Sequence, residues 1–369
     1  MIKPNYKNGS IINLISSVME KFGSRNGYRP LNIKLDKKNI ILFLIDGLGY
    51  EYLMKNGTFL KEKCVRSLTS TFPSTTTCAA IGIQKGVPAQ QHGLTGWFMN
   101  SKEIGTIISP LPFNARFGSY NLNEMNFNFE SICSEKQVSE KIKGNSVYIF
   151  PKKIVGKSIL KGRKKVFAYD SLEGLFKQIK KAVNLPGKKY IHAYWPDFDS
   201  MGHELGIANE ELLEHFKELE ERIQKLKLKD TQLLITADHG MIDANKKIIN
   251  LKENKKFYEC LSMPLSGEPR FVYCYVRLSK VKQFLLECEK YKKYFLVHKS
   301  EDLVKKNYFG LGKVNPKLLE RIGDFTLLMK KDYIAFDCLD NEEFEMPIGN
   351  HGGLTKQEML VPLIVINSD

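Results

Sequence analysis

The sequence predicts an α/β fold, with a mostly parallel central sheet that helices cover on both faces. Three mostly apolar runs, at residues 40–45, 189–195 and 232–237, are typical of strands buried on both sides. Helical patterns separate the runs, and an aspartate follows each run within a few residues. Parallel strands end at the same edge of a sheet, where α/β proteins bind their ligands, so the sequence predicts a site at that edge.

The composition is that of an ordinary globular protein, since 43% of the 369 residues are hydrophobic and 26% are charged. This length allows one large domain or two. The net charge of +15 comes from scattered lysines, and no nucleic-acid-binding motif accompanies them. A basic surface of this kind attracts anionic, phosphate-bearing substrates, and compositional drift explains the charge equally well.

The cysteines favour a reducing, cytoplasmic compartment. There are seven of them, widely spaced and without a C-x-x-C pair, so the sequence indicates neither a disulfide framework nor a cysteine-type zinc site. The first residues lack the pattern of a signal peptide. We expect no membrane span, because every apolar run is shorter than the roughly 18 residues that a spanning helix needs.

Hydrophobic periodicity and turn residues predict the individual elements. Apolar residues every three or four positions predict helices, as at Leu212, Phe216 and Leu219, and glycines fit helix ends, as at Gly57 and Gly86. The predicted helices lie at 11–22, 50–56, about 76–86, 171–184, 209–225 and 280–291. The predicted strands lie at 40–45, 146–150, 189–195, 232–237, 271–277, 325–329 and 360–366.

Two less regular blocks interrupt this pattern. Residues 98–185 alternate Asn-rich, Lys-rich and Pro-containing pieces, and we interpret part of this block as an insertion or cap around the mouth of the site. Residues 244–340 combine an alternating segment with a helical one, which suits a smaller inserted α+β subdomain.

Two of the buried strands end in potential metal ligands. Asp46 follows one of them, and Asp238 with His239 follows another. Taken alone, Asp46 is better explained as the N-cap of the next helix, which is a common role for aspartate. The second strand changes this interpretation, because Asp and neutral His are common ligands of divalent metals and of zinc in particular.

A third acidic segment and a late histidine extend the set. Asp199 and His203 are four residues apart, which places both on one side of a helical turn, and Gly202 leaves room for a close approach. His351 lies between glycines before the last predicted strand. Four segments therefore point to one place, and we interpret them as a shared metal centre.

A cluster of hydroxyl groups between Thr71 and Thr77 precedes the predicted helix that ends at Gly86. A hydroxyl on the first turn of a helix faces free backbone N–H groups and the positive end of the dipole, which favours phosphate binding or stabilises an oxyanion. From this segment alone, simple capping explains the threonines. His92 follows in a glycine-rich loop and is expected to be structural.

In this order the motifs resemble those of the alkaline phosphatase superfamily, and most closely its type I phosphodiesterase/nucleotide pyrophosphatase branch. The resembling motifs are Leu-Ile-Asp46-Gly, Thr71-Phe-Pro-Ser-Thr-Thr-Thr, His92-Gly-Leu, Pro196-Asp-Phe-Asp199-Ser-Met-Gly-His203, Thr236-Ala-Asp238-His239-Gly and Asn350-His351-Gly-Gly. They extend over nearly the whole chain. The resemblance therefore implies one alkaline-phosphatase-like catalytic domain over residues 1–369, with a smaller inserted α+β cap.

The resemblance also implies an activity and a set of cofactors. The activity is the hydrolysis of phosphodiester or pyrophosphate bonds in a small phosphate ester, such as a nucleotide, through a covalent phospho-threonine intermediate. Two divalent metal ions, usually zinc with manganese as an alternative, would form the site. The implied ligands are Asp46, Asp238, His239 and the nucleophile oxygen for one metal, and Asp199, His203 and His351 for the other.

The choice of nucleophile within the threonine cluster depends on which feature of the family is followed. The Thr-Phe-Pro motif points to Thr71, because some relatives use the threonine directly before Phe-Pro. Members of the superfamily also place the nucleophile about ten residues before the small residues that end the helix, and counting back from Gly86 gives Thr76. Thr76 is our prediction, since it also lies on the first helical turn, with Thr75 and Thr71 as alternatives.

The sequence departs from the family pattern at the phosphate-binding positions. Relatives often carry an Asn a few residues after His-Gly, and Trp97 stands near that point here. No equivalent of the arginine clamp of phosphomonoesterases is recognisable either. The alternatives are therefore a phosphomonoesterase or a phosphomutase of the same superfamily, and beyond these a non-catalytic metal-dependent binding protein.

Overall fold

The structure is a computed structural model that describes residues 1–156, 165–244, 248–339, 342 and 346–368. The helices are α1 Ile11–Lys21, α2 Tyr50–Asn56, α3 Phe59–Glu62, α4 Thr76–Lys85, α5 Ala89–His92, α6 Phe129–Ile132, α7 Val138–Lys141, α8 Leu172–Val183, α9 Asp197–Leu205, α10 Glu210–Gln224, α11 Lys255–Tyr258, α12 Val281–Glu289, α13 Ser300–Lys305, α14 Leu318–Arg321 and α15 Lys356–Met359. The strands are β1 Asn39–Ile45, β2 Cys64–Thr69, β3 Met99–Ser101, β4 Thr106–Ser109, β5 Asn114–Ala115, β6 Asn145–Pro151, β7 Val166–Tyr169, β8 Lys189–Trp195, β9 Thr231–Thr236, β10 Ile242–Asp243, β11 Ile248–Asn250, β12 Ser266–Glu268, β13 Phe271–Cys274, β14 Phe295–Lys299, β15 Phe325–Met329, β16 Ile334–Phe336, β17 Gly349–Asn350 and β18 Leu360–Ser368.

A seven-stranded sheet with the order β2-β18-β9-β1-β8-β6-β7 forms the centre of the fold. The strands β9, β1, β8, β6 and β7 are parallel to one another, whereas β18 runs antiparallel to both of its neighbours. Every residue of β1, β8 and β9 is buried, because helices cover both faces of the sheet. The predicted α/β class with a mostly parallel sheet is confirmed.

The register of the central strands brings their carboxyl ends to one level. Ile45 lies opposite Trp195, and Leu44 lies opposite Thr236. The backbone N–H of Asp46 continues the ladder and donates to the carbonyl of Trp195 at 2.9 Å. Because β18 runs in the opposite direction, its first residues lie at this same edge, and so does the loop before it.

Aromatic side chains show how the helices seal the two faces. On one face, the rings of Phe43 in β1 and Phe176 in α8 meet edge to face at 6.4 Å. Elsewhere, Tyr52 of α2 packs against Phe198 of α9 at 5.0 Å and Phe216 of α10 at 5.6 Å. The contacts of Tyr52 hold α9, the helix with the Asp-x-x-x-His spacing, against α2 and α10.

The local predictions agree well with the observed elements. The strands at 189–195 and 325–329 and the helix at 50–56 have the predicted bounds. Helix α4 begins at Thr76, and Gly86 ends it in the left-handed conformation with a φ of 75°.

The region 98–185 contains two kinds of structure. Its first part forms a small three-stranded sheet of β3, β4 and β5, whereas β6, β7 and α8 belong to the central sheet layer. A separate four-stranded sheet, β12-β13-β15-β14, occupies part of the 244–340 block and has its own aromatic core around Phe284. The proposed domain boundaries themselves stay predictions.

All seven cysteines are free, and five of them are buried. Within the described ranges, no helix combines the length and the apolarity needed to cross a membrane.

A buried ion pair ties the second sheet to the loop before β18. Arg270, next to β13, and Glu358 of α15 are both fully buried, and Arg270 Nε donates to Glu358 Oε1 at 2.8 Å. Glu358 also accepts from the backbone N–H of Gly353 at 2.8 Å and from the hydroxyl of Thr355 at 2.7 Å. The carboxylate of Glu358 therefore holds the loop that carries His351.

We predict that Arg270→Met lowers the free energy of unfolding by about 3–5 kcal/mol, because it leaves the buried Glu358 carboxylate without its cationic partner. Urea unfolding followed by circular dichroism measures this loss. The double variant Arg270→Met/Glu358→Gln should recover part of it, since the uncompensated charge is gone. A single variant within about 1 kcal/mol of the wild type would contradict this role.

Candidate active site

The structure brings the side chains of all four predicted segments together at the carboxyl edge of the central sheet. They form two groups of three, and within each group the potential ligand atoms lie within 4.8 Å of one another. We call them the Asp46 group and the Asp199 group. The first consists of Asp46, Asp238 and His239, and the second of Asp199, His203 and His351.

The Asp46 group is almost completely buried. His239 Nε2 lies 3.4 Å from Asp46 Oδ1 and 3.6 Å from Asp238 Oδ2. The other oxygen of Asp238 accepts from the backbone N–H groups of Gly47 at 3.3 Å and of His239 at 3.0 Å. The turns after β1 and β9 thus orient this carboxylate, and one oxygen of each aspartate is left for a further partner.

The Asp199 group depends on the first two turns of α9. Asp199 Oδ2 lies 3.3 Å from His203 Nε2, as the spacing of four residues predicts. His203 Nδ1 donates to the carbonyl of Gly349 at 2.8 Å, and this contact directs Nε2 toward the site. A Cβ on Gly349 would lie 2.3 Å from the carbonyl of Gly202, so only glycine allows the two segments to approach this closely.

The two groups are in direct contact. The rings of His239, from the Asp46 group, and His351, from the Asp199 group, stack with centroids 3.7 Å apart. Within the Asp199 group, the ring centroids of His203 and His351 are 5.0 Å apart. Gly47 in turn faces Asp199, since a Cβ at residue 47 would lie 3.0 Å from Asp199 Oδ1. The site is therefore one compact centre rather than two separate ones.

Negative charge accumulates in this buried space. Burial, together with the carboxylates of Asp238 and Asp199, raises the pKa of Asp46 well above its usual value. Burial likewise raises the pKa of Asp238. The pKa of His351 is lowered well below its usual value by burial and by the neighbouring His239, so the neutral imidazole is favoured.

The structure distinguishes the three candidate threonines by their contacts. Thr76 lies on the first turn of α4, and its Oγ1 is 3.1 Å from His239 Nε2. The hydroxyl of Thr75 donates to the carboxylate of Glu268, and that of Thr71 donates to the carbonyl of Pro73 at 3.2 Å inside the core. Of the three, only Thr76 has its hydroxyl directed at the Asp46 group.

Two further residues lie at the site that the sequence motifs did not predict. Tyr194, inside β8, donates its hydroxyl to Asp46 Oδ2. Glu268, at the end of β12, accepts from the backbone N–H of Trp97 at 3.1 Å, and burial raises the pKa of Glu268 to about 8. Strand periodicity could have placed Tyr194 on the same edge, but nothing in the 244–340 block pointed to Glu268.

Other histidines lie away from this centre. His92 is buried behind α4, where its Nε2 contacts the carbonyl of Cys78 at 3.1 Å and its Nδ1 accepts from the N–H of Leu94 at 3.1 Å. Burial lowers the pKa of His92 to about 3, which suits the expected structural role. His215 of α10 accepts from the indole of Trp195 at 3.0 Å and stacks on it.

A cavity of about 890 Å³ opens from the two groups. Thr76, Trp97 and Glu268 line its inner end, next to His351. Apolar and polar side chains together line the remainder, among them Arg116, Asp337 and Glu342, between the small sheet of β3 to β5 and the second sheet. This size suits a small organic molecule.

The family model described as type I phosphodiesterase / nucleotide pyrophosphatase matches residues 120–354, more than half of the chain. The chain belongs to this family. It is therefore a phosphodiesterase/pyrophosphatase-like hydrolase of phosphoric esters, and membership implies divalent metal ions in its active site. The matched range contains the segment from Asp199 to His351, whereas Asp46 and Thr76 lie before it. Among curated proteins, none matches the chain.

Solved structures share the fold. Human ectonucleotide pyrophosphatase/phosphodiesterase 5 superposes with a TM-score of 0.63 at 18% identity, over 89% of this chain and 87% of that one. An inactive threonine-to-alanine variant of the murine protein, in complex with AMP, gives 0.62 at 15% identity over the same shares. Phosphonoacetate hydrolase from Sinorhizobium meliloti 1021, in complex with phosphonoformate, gives 0.60 at 17% identity over 88% and 89%.

The donor set of this phosphodiesterase-family site fits divalent metal ions. Among the described buried atoms, Asp46 Oδ1, Asp199 Oδ1, Asp238 Oδ2 and His351 Nδ1 have no hydrogen-bond partner. Orphaned carboxylate oxygens are costly in a buried site unless a cation compensates them. Carboxylate oxygen and imidazole nitrogen donors at this spacing are the ligands that zinc and similar ions prefer.

We predict that removal of divalent metal by a chelator lowers the melting temperature, and that Asp46→Asn raises the melting temperature of the metal-free protein by a few degrees. Asp46→Asn should raise the melting temperature because Asn removes one of three crowded carboxylates while it keeps the shape of the side chain. Chelation should lower it because the remaining carboxylates lose the cations that compensate them. Differential scanning calorimetry measures both effects.

The control is Asp197→Asn, which changes an aspartate on the same helix as Asp199 but outside both groups. It should leave the metal-free melting temperature nearly unchanged. A metal-free Asp46→Asn protein that melts below the metal-free wild type would show that the carboxylates do not repel one another.

Proposed function

We propose that this protein is a metal-dependent hydrolase that cleaves phosphodiester or pyrophosphate bonds in small molecules through a covalent phospho-threonine intermediate at Thr76. The observation that carries the proposal is the position of the Thr76 hydroxyl. It stands on the first turn of α4, 3.1 Å from His239 Nε2, in a cavity that Asp46 and all three residues of the Asp199 group also line.

Two divalent ions would be held by the residues of the two groups. Asp46, Asp238 and His239 hold one ion together with the Thr76 oxygen, and the Asp199 group holds the other. We propose zinc, with manganese as the alternative, because the donors are carboxylates and imidazoles. Bound metal supplies positive charge that lowers the pKa of the threonine hydroxyl and stabilises charge on the phosphoryl oxygens.

The reaction proceeds in two displacements. In the first, the Thr76 oxygen forms a bond to phosphorus, the ester P–O bond breaks, the leaving group departs with the electron pair, and the hydroxyl proton passes to solvent. In the second, water attacks the phospho-threonine, which regenerates the Thr76 hydroxyl and releases the phosphorylated product. Each step exchanges one oxygen substituent on phosphorus for another.

The surrounding residues hold these groups in position. The backbone N–H groups of Thr76 and Thr77, on the first turn of α4, face the transferring phosphoryl group at the positive end of the dipole, whereas those of Cys78 and Ala79 donate to the carbonyl of Thr75. Tyr194 donates a hydrogen bond to Asp46, and the Gly349 carbonyl accepts one from His203. Contacts of this kind fix the orientation of metal ligands.

The substrate that we propose is a small phosphate ester, for which a nucleotide is one candidate. The murine relative is described as inactive after a threonine-to-alanine change and as a complex with AMP, and the bacterial hydrolase as a complex with phosphonoformate. These descriptions support a threonine nucleophile and a phosphoryl-binding cavity. The basic net charge of +15 favours the approach of anionic substrates.

We predict that Thr76→Ala lowers the turnover of bis(4-nitrophenyl) phosphate by roughly 10³-fold or more, because the nucleophile is lost. Release of nitrophenolate measures turnover, and isothermal titration with zinc measures metal binding, which should largely persist. Acid quenching of the wild type during turnover, followed by mass spectrometry, should locate a phosphoryl group on Thr76.

The matched controls are Thr75→Ala and Thr71→Ala, which remove neighbouring hydroxyls with other partners. Both should keep turnover within about tenfold of the wild type. Full activity in Thr76→Ala, with loss in Thr71→Ala, would assign the nucleophile to Thr71 instead.

We also predict that Tyr194→Phe weakens zinc binding by about 10–100-fold, because Asp46 loses the hydroxyl that orients it. A competition titration with a fluorescent chelator measures the affinity. Tyr169→Phe is the control, since its hydroxyl donates to the backbone carbonyl of Tyr194 and not to a carboxylate of the site. Equal zinc affinities of the Tyr194→Phe protein and the wild type would exclude this positioning role.

A further inference from the structure

Glu268 is a buried carboxylate at the active site that the proposed reaction does not use. Its side chain is 6% exposed and lines the cavity beside Thr76. Its Oε1 accepts from the hydroxyl of Thr75 and from the backbone N–H of Trp97 at 3.1 Å. Its Oε2 lies 3.4 Å from His351 Nδ1.

The two donors that Glu268 engages belong to residues that line the cavity together with Thr76. Thr75 directly precedes Thr76 and is the N-cap residue of α4, and both Thr75 and Trp97 line the inner end of the cavity. Hydroxyl and backbone N–H donors beside a nucleophile are the groups that stabilise phosphoryl oxygens. Both contacts use Glu268 Oε1 as the acceptor. In the acid form of the carboxyl group the proton can reside on Oε2, so Oε1 accepts both hydrogen bonds in either protonation state.

Strand pairing keeps Glu268 in this place. Gly267 exchanges two backbone hydrogen bonds with Phe98, at 3.1 and 2.7 Å, so β12 is bonded directly to the segment that carries Trp97. A Cβ on Gly96 would lie 3.1 Å from the Cα of Gly267, which shows how closely the two backbones approach. The carboxylate is therefore a fixed part of the cavity wall.

No free lysine or arginine of the described cavity wall replaces these donors. Among the described lining residues, Arg116 is the only lysine or arginine. Its nitrogens donate to Glu342 at 2.7 and 2.8 Å, to the Leu265 carbonyl at 2.6 Å, and to the carbonyl and carboxylate of Asp337 at 2.8 and 3.0 Å. The guanidinium also lies 4.4 Å from the centre of the Phe98 ring. Arg116 is thus saturated and holds the wall together.

We propose that Glu268 is a specificity-determining residue, which takes up the two donors beside Thr76 and so disfavours phosphoryl groups that have three unesterified oxygens. An internal phosphodiester has only two such oxygens, whereas a monoester or the terminal phosphate of a polyphosphate has three. With these two donors engaged, the third oxygen has two fewer protein partners, and a poorly paired charged oxygen is costly in a buried site. The inference rests on the proposed hydrolase function and names the residue that selects its substrates.

The test compares two esters that release the same nitrophenolate, bis(4-nitrophenyl) phosphate and 4-nitrophenyl phosphate, in the metal-loaded protein. The measured quantity is the ratio of kcat/KM for the diester to kcat/KM for the monoester. This ratio does not depend on the fraction of correctly folded or metal-loaded protein. The variants are Glu268→Ala, which frees both donors, and Glu268→Gln, which keeps an acceptor oxygen and the shape of the side chain.

We expect the ratio to fall by about tenfold in Glu268→Ala, the size of one recovered hydrogen bond, and to stay near the wild-type value in Glu268→Gln. An unchanged ratio in Glu268→Ala would overturn the proposal. An equal fall in both variants would also overturn it, since the charge and not the engaged donors would then decide the selection.

Binding of inorganic phosphate separates this inference from the proposed function. Phosphate has unesterified oxygens only, so Glu268→Ala should bind it about tenfold more tightly than the wild type in isothermal titration, with or without turnover of either ester. Equal phosphate affinities would overturn the role of Glu268. Failure of the proposed function has another signature: wild-type rates in Thr76→Ala, or no cleavage of any ester by the wild type.

Discussion

The parallel register of β8, β1 and β9 is the constraint on which the site depends. These three strands end at one level, so the residues that follow them meet without any help from long loops. The antiparallel β18 contributes from its beginning rather than its end, which brings His351 to the same edge. A shift of one residue in this register would turn Asp46 away from Asp199, because side chains alternate between the faces of a strand.

The second sheet completes the site that the central sheet begins. Arg270, next to β13, pairs with Glu358 and thereby holds the loop with His351, and Glu268 of β12 contacts Thr75 at the start of α4. Both contacts are buried, and the first is an ion pair, so they are costly to break and restrict how the two sheets can move apart. The same residues that stabilise the interface between the sheets therefore shape the phosphoryl site.

The candidate site concentrates unfavourable electrostatics at one place. Burial and mutual repulsion raise the pKa of both Asp46 and Asp238, so these two carboxylates lower the stability of the metal-free chain at neutral pH, and bound cations would offset this cost. The remainder of the fold offsets it through the extensive apolar burial around β1. Such a balance is typical of functional sites, where local rules of packing and charge are broken.

The sequence by itself determined the strands, the helices next to them and the acids at the strand ends, since these follow from local periodicity and from neighbours such as Asp199 and His203 on one turn. The sequence also predicted Thr76 as the nucleophile, with Thr75 and Thr71 as alternatives. Only the tertiary structure decided which hydroxyl faces the acidic groups, and only it brought Tyr194 to Asp46 and Glu268 to the start of α4. The physical reason is distance along the chain: Glu268 and its hydroxyl partner are 193 residues apart, and no local pattern encodes such a contact.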